Sequence, residues 1–170
     1  DNQLKIDIIL SDDFKSEINN PNINKKIEIK PFSESVEISD VILSIGGDGT
    51  MLSTIRRIGK KTVPVLGIHI GNLGFLTQST EETLSQALKC LVEEDYNVEE
   101  RLLLEIEINN NKKQYYAFND AVIDHGNSGR ILKTEVYVDD EHINNYESDG
   151  IIISTSAGST GYSLSSGGPI

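Results

Sequence analysis

The stretch richest in chemistry is Ser44-Ile45-Gly46-Gly47-Asp48-Gly49-Thr50, which follows the apolar run Val41-Ile42-Leu43 and precedes a helical pattern. Three glycines in four positions let a backbone approach an anion and adopt φ > 0, and a helix that starts there adds free N–H groups and its positive end. Such a strand-to-helix turn suits phosphate. A carboxylate repels phosphate, so Asp48 points to accepting a proton from a hydroxyl or to holding Mg²⁺. The stretch alone leaves open a plain tight turn in which Asp48 caps the helix.

Four further sites carry chemistry. Gly71-Asn72-Leu73-Gly74-Phe75-Leu76 follows a second apolar run, residues 63–70, and so belongs on the same rim as the first turn. Phe75 there either stacks on a base or packs against the sheet. Asn119-Asp120 interrupts an apolar strand, which places polar side chains on sugar hydroxyls or a base, or marks a bulge satisfied by backbone. Asp149-Gly150 opens a strand running into Ser154-Thr155-Ser156-Ala157-Gly158-Ser159-Thr160-Gly161-Tyr162-Ser163, whose hydroxyls and free amides suit a nucleoside or else form a serine-rich surface loop. His69, His125 and His142 lack ligand spacing and read as surface or edge residues. Ser159 lies outside a nucleophile-elbow pattern, which argues against a serine hydrolase.

The elements that must position these residues fall into two halves. Alternation over residues 4–10 predicts a strand, and residues 41–45 predict a strand covered on both faces. Asparagines and two prolines between residues 11 and 39 suggest a short helix at 14–18, a loop, and a strand at 27–29. Leu52, Ile55 and Ile58 have helical spacing with Gly59 placed to end the helix, and Ser79 with Glu82 forms a capping box ahead of Leu84, Ala87, Leu88 and Leu91. This β-loop-α-β order is the unit of a parallel sheet, which collects ligands at the carboxyl ends of its strands. From about residue 98 the pattern changes to short strands. A hairpin joins residues 102–108 to 115–123 through Asn109-Asn110-Asn111, and Asp139-Asp140 makes another turn.

With 15 Lys and Arg against 27 Asp and Glu, the net charge is −12, which opposes nucleic acid and anionic membranes as partners. An anionic ligand would then need backbone amides and a divalent cation. Hydrophobic residues make up 37%, enough for a core. The single Cys90 allows no internal disulfide or cysteine-based zinc site and fits a reducing cytoplasm. No run approaches the roughly 20 apolar residues of a membrane span, and no signal peptide is read at the start. Gly167-Gly168-Pro169-Ile170 reads as the middle of a motif, so a longer protein is expected.

In this order the motifs resemble the NAD kinase family over nearly the whole chain from Asp40 onward. The resemblance rests on Gly46-Gly47-Asp48-Gly49-Thr50, Leu73-Gly74-Phe75-Leu76, Asn119-Asp120, Asp149-Gly150, and Gly158-Ser159-Thr160-Gly161-Tyr162-Ser163-Leu164-Ser165 with Gly167-Gly168-Pro169. Diacylglycerol-kinase-like lipid kinases share the first motif, and phosphofructokinases share it loosely. All five together are specific. A lipid kinase and a non-catalytic dinucleotide-binding fragment are the rival readings.

The resemblance implies an α/β N-terminal domain with a Rossmann-like parallel sheet (residues 1–97) and an all-β, β-sandwich C-terminal domain (residues 98–170) that stops short of the family's length. It implies Mg²⁺-dependent phosphoryl transfer from ATP, or polyphosphate, to the 2′-hydroxyl of the adenosine ribose of NAD, forming NADP. By that likeness Asp48 is the general base, and Gly46, Gly47, Gly49 and Thr50 line the phosphate site. Gly49, Phe75, Asn119, Asp120, Asp149, Thr160, Gly161, Tyr162 and Ser165 contact the substrate. A cytoplasmic homodimer or homotetramer is also implied. Two departures stand out: Asp120 replaces the common Glu, and Ser156-Ala157 stands where the family usually has proline and a hydroxyl residue. Family members also continue with further β strands and a tail that returns to the first domain.

Overall fold

The computed structural model describes residues 6–14, 27–70, 74–108 and 111–170. The chain divides into two units, Asp1–Glu100 and Arg101–Ile170.

In the first unit, strand β1 (Ile9–Ser11) pairs in parallel with β2 (Glu28–Lys30), and a 3₁₀ turn, Asp12–Phe14, follows β1. Helix α1 (Phe32–Ile38) leads to β3 (Ile42–Gly46), and α2 (Asp48–Ile58) crosses from β3 to its parallel neighbour β4 (Val65–His69). Strand β5 (Ser79–Thr80) pairs in parallel with the end of β4, and α3 (Leu84–Val92) follows. Gly46 and His69 are register partners, so the glycine turn and the segment after β4 leave the sheet at the same edge.

The core lies on one face of this sheet. Ile42, Val36 of α1 and Ile58 of α2 are buried together, with Phe32, Val63 and Val65 packed against them. Ser44 is buried beside Ile42, and its hydroxyl shares a 3.1 Å hydrogen bond with Thr54 of α2, so neither polar group is stranded. Arg57 ties three elements together: its guanidinium lies 3.9 Å from the Phe32 ring centroid and donates to Asp13 at 2.6 Å.

Several expectations change. Leu43 and Ile45 remain exposed, so β3 is covered on one face rather than two, because both helices that pack with Ile42 come from the same side. Residues 6–8 precede β1 without strand structure, and residues 1–5 lie outside the described residues, as does most of the helix expected at 14–18. The strand expected at 27–29 is β2, and helix α1 follows it at residues for which no element was expected, opened by Pro31, with Phe32 and Val36 four apart on its buried side. Ser79 is not a capping residue. It pairs with Ile68 in the sheet, and its hydroxyl shares a 2.9 Å hydrogen bond with Thr83, which directly precedes α3.

The second unit is built from antiparallel pairs: β6 (Leu104–Ile108) with β7 (Asn111–Ala117), β9 (Leu132–Val138) with β10 (Glu141–Ser148), and β8 (Asp120–Asp124) with β11 (Gly150–Ser154). Asp139 and Asp140 turn β9 into β10 with φ of 48° and 65°, the doubly left-handed geometry of a two-residue hairpin turn. The strand expected over residues 115–123 breaks at Phe118-Asn119, because the Asn119 carbonyl turns to accept from Thr155 N at 2.8 Å and from the Ser154 hydroxyl at 3.2 Å. A helical turn, Ser159–Ser163, follows β11. No helix among the described residues is long and apolar enough to cross a membrane.

Ile68, 2% exposed, is the most deeply buried apolar side chain of the central strand β4. Ile68→Ala should destabilise the protein by about 2–5 kcal/mol through lost burial and the cavity left behind, measured by urea unfolding.

Candidate functional site

The glycine turn ends β3 and starts α2, with Gly47 as the residue before the helix and Asp48 as its first member. Gly46 has φ of 150°, and a Cβ there would come within 2.8 Å of Thr50 Cβ, so only glycine fits. At Gly47 and Gly49 a Cβ would meet nothing within 4 Å. Neither packing among the described residues nor a positive φ accounts for these two glycines, and the outer side of the turn has room for a ligand. Thr50 N–H donates to Gly47 O at 3.0 Å, while the start of α2 carries the positive end of the helix, which favours negative charge.

Asp48 does not cap its helix. Its carboxylate reaches to the segment after β4, where Oδ2 accepts from Phe75 N–H and Oδ1 from Leu76 N–H, each at 2.9 Å. These two amides, Phe75 first, hold the Asp48 carboxyl below the usual aspartate range, and the charge of His69 acts in the same direction. The contribution of this contact to folding is therefore present above the ordinary carboxylate pKa and is lost as pH falls through the depressed value. Gly74 makes the approach possible, since a Cβ there would run into the Asp48 carboxylate and come within 2.8 Å of its Cγ.

Phe75 is fully exposed, so packing against the sheet does not explain it. Its segment is anchored at the other end by Gln78, which donates its N–H to Gly67 O at 3.1 Å and accepts from Gly67 N at 2.9 Å. Gly71, Asn72 and Leu73 lie outside the described residues.

His69 corrects the sequence reading. It is 6% exposed rather than a surface or edge residue. Its Nδ1 shares a 3.3 Å hydrogen bond with Thr77 Oγ1, and its buried Nε2 has no partner among the described residues. Leaving such an atom unpaired costs about 1–3 kcal/mol, so stability alone does not account for histidine at this position. The sequence signal was its place at the last position of an apolar strand ahead of a glycine loop.

In the second unit, Thr155 is the organising side chain. It is buried, donates to Phe118 O at 2.6 Å, and accepts from Gly158 N at 3.0 Å. Gly158 lies so close that a Cβ there would come within 2.6 Å of Asn119 Cα. These contacts bring together Asn119, Asp120 and Gly161: a Cβ on Gly161 would stand 3.8 Å from Asp120 Oδ2 and 3.9 Å from Asn119 Nδ2. Both side chains are half-buried. Thr160 and Tyr162 are exposed on the following helical turn, and Ser165 donates to Tyr162 O at 3.0 Å. Ser154, Thr155, Ser156, Ser159 and Ser163 line a hollow of about 350 Å³ with Pro169, adding hydroxyls beyond those expected to contact a ligand.

Asp149 is not part of this group. It precedes Gly150, which pairs with Asp124, whereas Ser154 at the other end of β11 pairs with Asp120. At ~3.4 Å per residue, Asp149 stands roughly 17 Å along the strands from Asp120.

The chain is a two-domain, mixed α/β protein with an acidic glycine turn at the carboxyl edge of a parallel sheet, the edge at which such sheets collect ligands. Residues 9–96 match the ATP-NAD kinase N-terminal domain and residues 118–170 the ATP-NAD kinase C-terminal domain, and the chain belongs to the NAD kinase family. It is 40% identical over 158 residues to an NAD kinase of Clostridium kluyveri, covering 88% of this chain and 56% of that protein. It is 41% identical over 140 residues to an NAD kinase of Clostridium botulinum, covering 81% and 50%. The crystal structure of yeast NADH kinase complexed with NADH superposes with a TM-score of 0.86 at 27% identity, over 100% of this chain and 54% of that one. An NAD kinase from Archaeoglobus fulgidus in complex with ATP gives 0.66 at 30% identity, over 95% and 65%. The chain spans about half the length of the curated relatives it matches.

Gly74→Ala should push the Asp48 carboxylate off the two amides and raise its pKa toward the ordinary aspartate value. Carbon-13 titration of the Asp48 carboxyl in the two proteins reads that shift.

Proposed function

We propose that this chain carries the catalytic loop and the dinucleotide-recognition residues of an NAD kinase, transferring a phosphoryl group from ATP, or polyphosphate, to the 2′-hydroxyl of the adenosine ribose of NAD to form NADP. The observation that carries the reading is the Asp48 carboxylate, fixed by two backbone amides at the mouth of a glycine turn with open space around Gly47 and Gly49.

Each Asp48 oxygen uses one acceptor direction on an amide and keeps another for a substrate hydroxyl. The amides weaken Asp48 as a base but keep it ionised and oriented. Phosphoryl transfer through a loose transition state asks little of the nucleophile's proton and much of its position, so an aimed, weakly basic carboxylate suits the task. Gly46, Gly47, Gly49 and Thr50 take the phosphates of the donor through the turn and the positive end of α2. Phe75 offers a free aromatic face to a base. Asn119 and Asp120, with Gly161 beside them, bind ribose hydroxyls, and Thr160, Tyr162 and Ser165 complete that surface. Asp149 contacts the substrate from the opposite end of β11.

Among the described residues no group of three or more His, Cys, Asp or Glu is arranged to hold a metal. Mg²⁺ keeps several waters and is bound by one or two carboxylates plus substrate phosphates, and Asp48 is the carboxylate it would meet. Bound there, Mg²⁺ would neutralise phosphate charge.

The reading includes a Rossmann-like sheet in the first unit, a β-sandwich in the second, a cytoplasmic location and assembly into homodimers or homotetramers.

The intact protein incubated with NAD, ATP and Mg²⁺ should produce NADP, detected with an NADP-specific dehydrogenase, and a lack of product sinks the proposal. Asp48→Asn should lower turnover by about 10²–10⁴-fold while calorimetry shows NAD still bound.

A further inference from the structure

The amides that fix Asp48 belong to a short segment, and the question is what fixes the segment. Gln78 secures one end to Gly67 of β4. At the other end Phe75 and Leu76 donate to Asp48 itself. Between them stands Thr77, whose hydroxyl is hydrogen-bonded to the Nδ1 of His69. Among the described residues, that bond and the Gln78 anchor are the contacts other than Asp48 that hold this segment, and the Thr77 bond is the nearer of the two to the amides of Phe75 and Leu76.

His69 is suited to this role. Its register partner is Gly46, the first glycine of the turn, so it stands on the rigid sheet at the edge from which both segments leave. It is buried, and it keeps an unpartnered Nε2 among the described residues, which an apolar side chain of similar volume would avoid. Packing therefore does not explain it, whereas the bond to Thr77 does.

We propose that His69, through Thr77, is a positioning residue for phosphoryl transfer: it holds the Phe75 and Leu76 amides in the direction that aims the Asp48 carboxylate. This rests on Asp48 accepting the substrate hydroxyl. His69 touches no substrate in this account. A misplacement of about 1 Å at the carboxylate is enough to cost up to 10²-fold in rate, so a strut outside the reacting groups has leverage on turnover.

Two readouts test the proposal in the intact protein: hydrogen exchange at the Phe75 and Leu76 amides, and kcat with KM for NAD. His69→Ala and Thr77→Val should each lower protection of those two amides and kcat by about tenfold, with KM changed by less than about twofold. His69→Asn, which keeps a polar atom near the Nδ1 position, and Thr77→Ser should restore both to within about threefold of wild type. Unchanged protection and kcat in the first two variants overturn the proposal, as does exchange that rises equally across β4 and α2, which would mark general destabilisation. Thr77→Val decides the matter if His69→Ala does not fold. A wild-type protein that makes no NADP overturns the proposed function instead, and the exchange data then judge the strut alone.

Discussion

The first unit depends on one contact, the carboxylate of Asp48 accepting the backbone N–H groups of Phe75 and Leu76. It joins two segments 27 and 28 residues apart in sequence and gives a charged side chain fixed partners at the edge of a sheet. Much of the local sequence follows from it. Position 74 must lack a Cβ so that the carboxylate can reach the amides, and position 46 must be glycine so that the chain can turn into α2 above Thr50. Helix α2 is in turn held to β3 by the Ser44–Thr54 pair and by Ile58 in the core.

A comparable economy governs the second unit. The backbone of Asn119 is held by Ser154 and Thr155, and Thr155 also accepts from Gly158. One carbonyl that leaves its own strand thereby fixes the start of β8 and the turn after β11. The cost of burying the Thr155 hydroxyl is offset because its donor and acceptor capacities are both used.

The short-range features were legible in the sequence. The glycine turn, the β-loop-α-β order, Gly59 at the end of α2 and the Asp139-Asp140 hairpin each follow from residue types within a few positions. What was not legible depends on distant partners. His69 looks like any edge histidine until Thr77 is placed beside it and Gly46 across from it. Ser79 satisfies a helix-capping pattern, yet the free edge of β4 claims its backbone first. The run at residues 41–45 is apolar throughout, but only one of its faces receives helices. Helix α1 left a local trace in Pro31 and in the spacing of Phe32 and Val36, outweighed by the asparagines before it.

Phe75 divides its loyalties. Its N–H is committed to Asp48 while its ring stands wholly in solvent, so a single pair of backbone torsions governs both. On the proposed function, a flat ring that docks on Phe75 steadies the torsions that orient the carboxylate, and a molecule that offers no such ring leaves them slack. Discrimination between acceptors would then appear in how well the hydroxyl is met rather than only in how tightly the molecule is held.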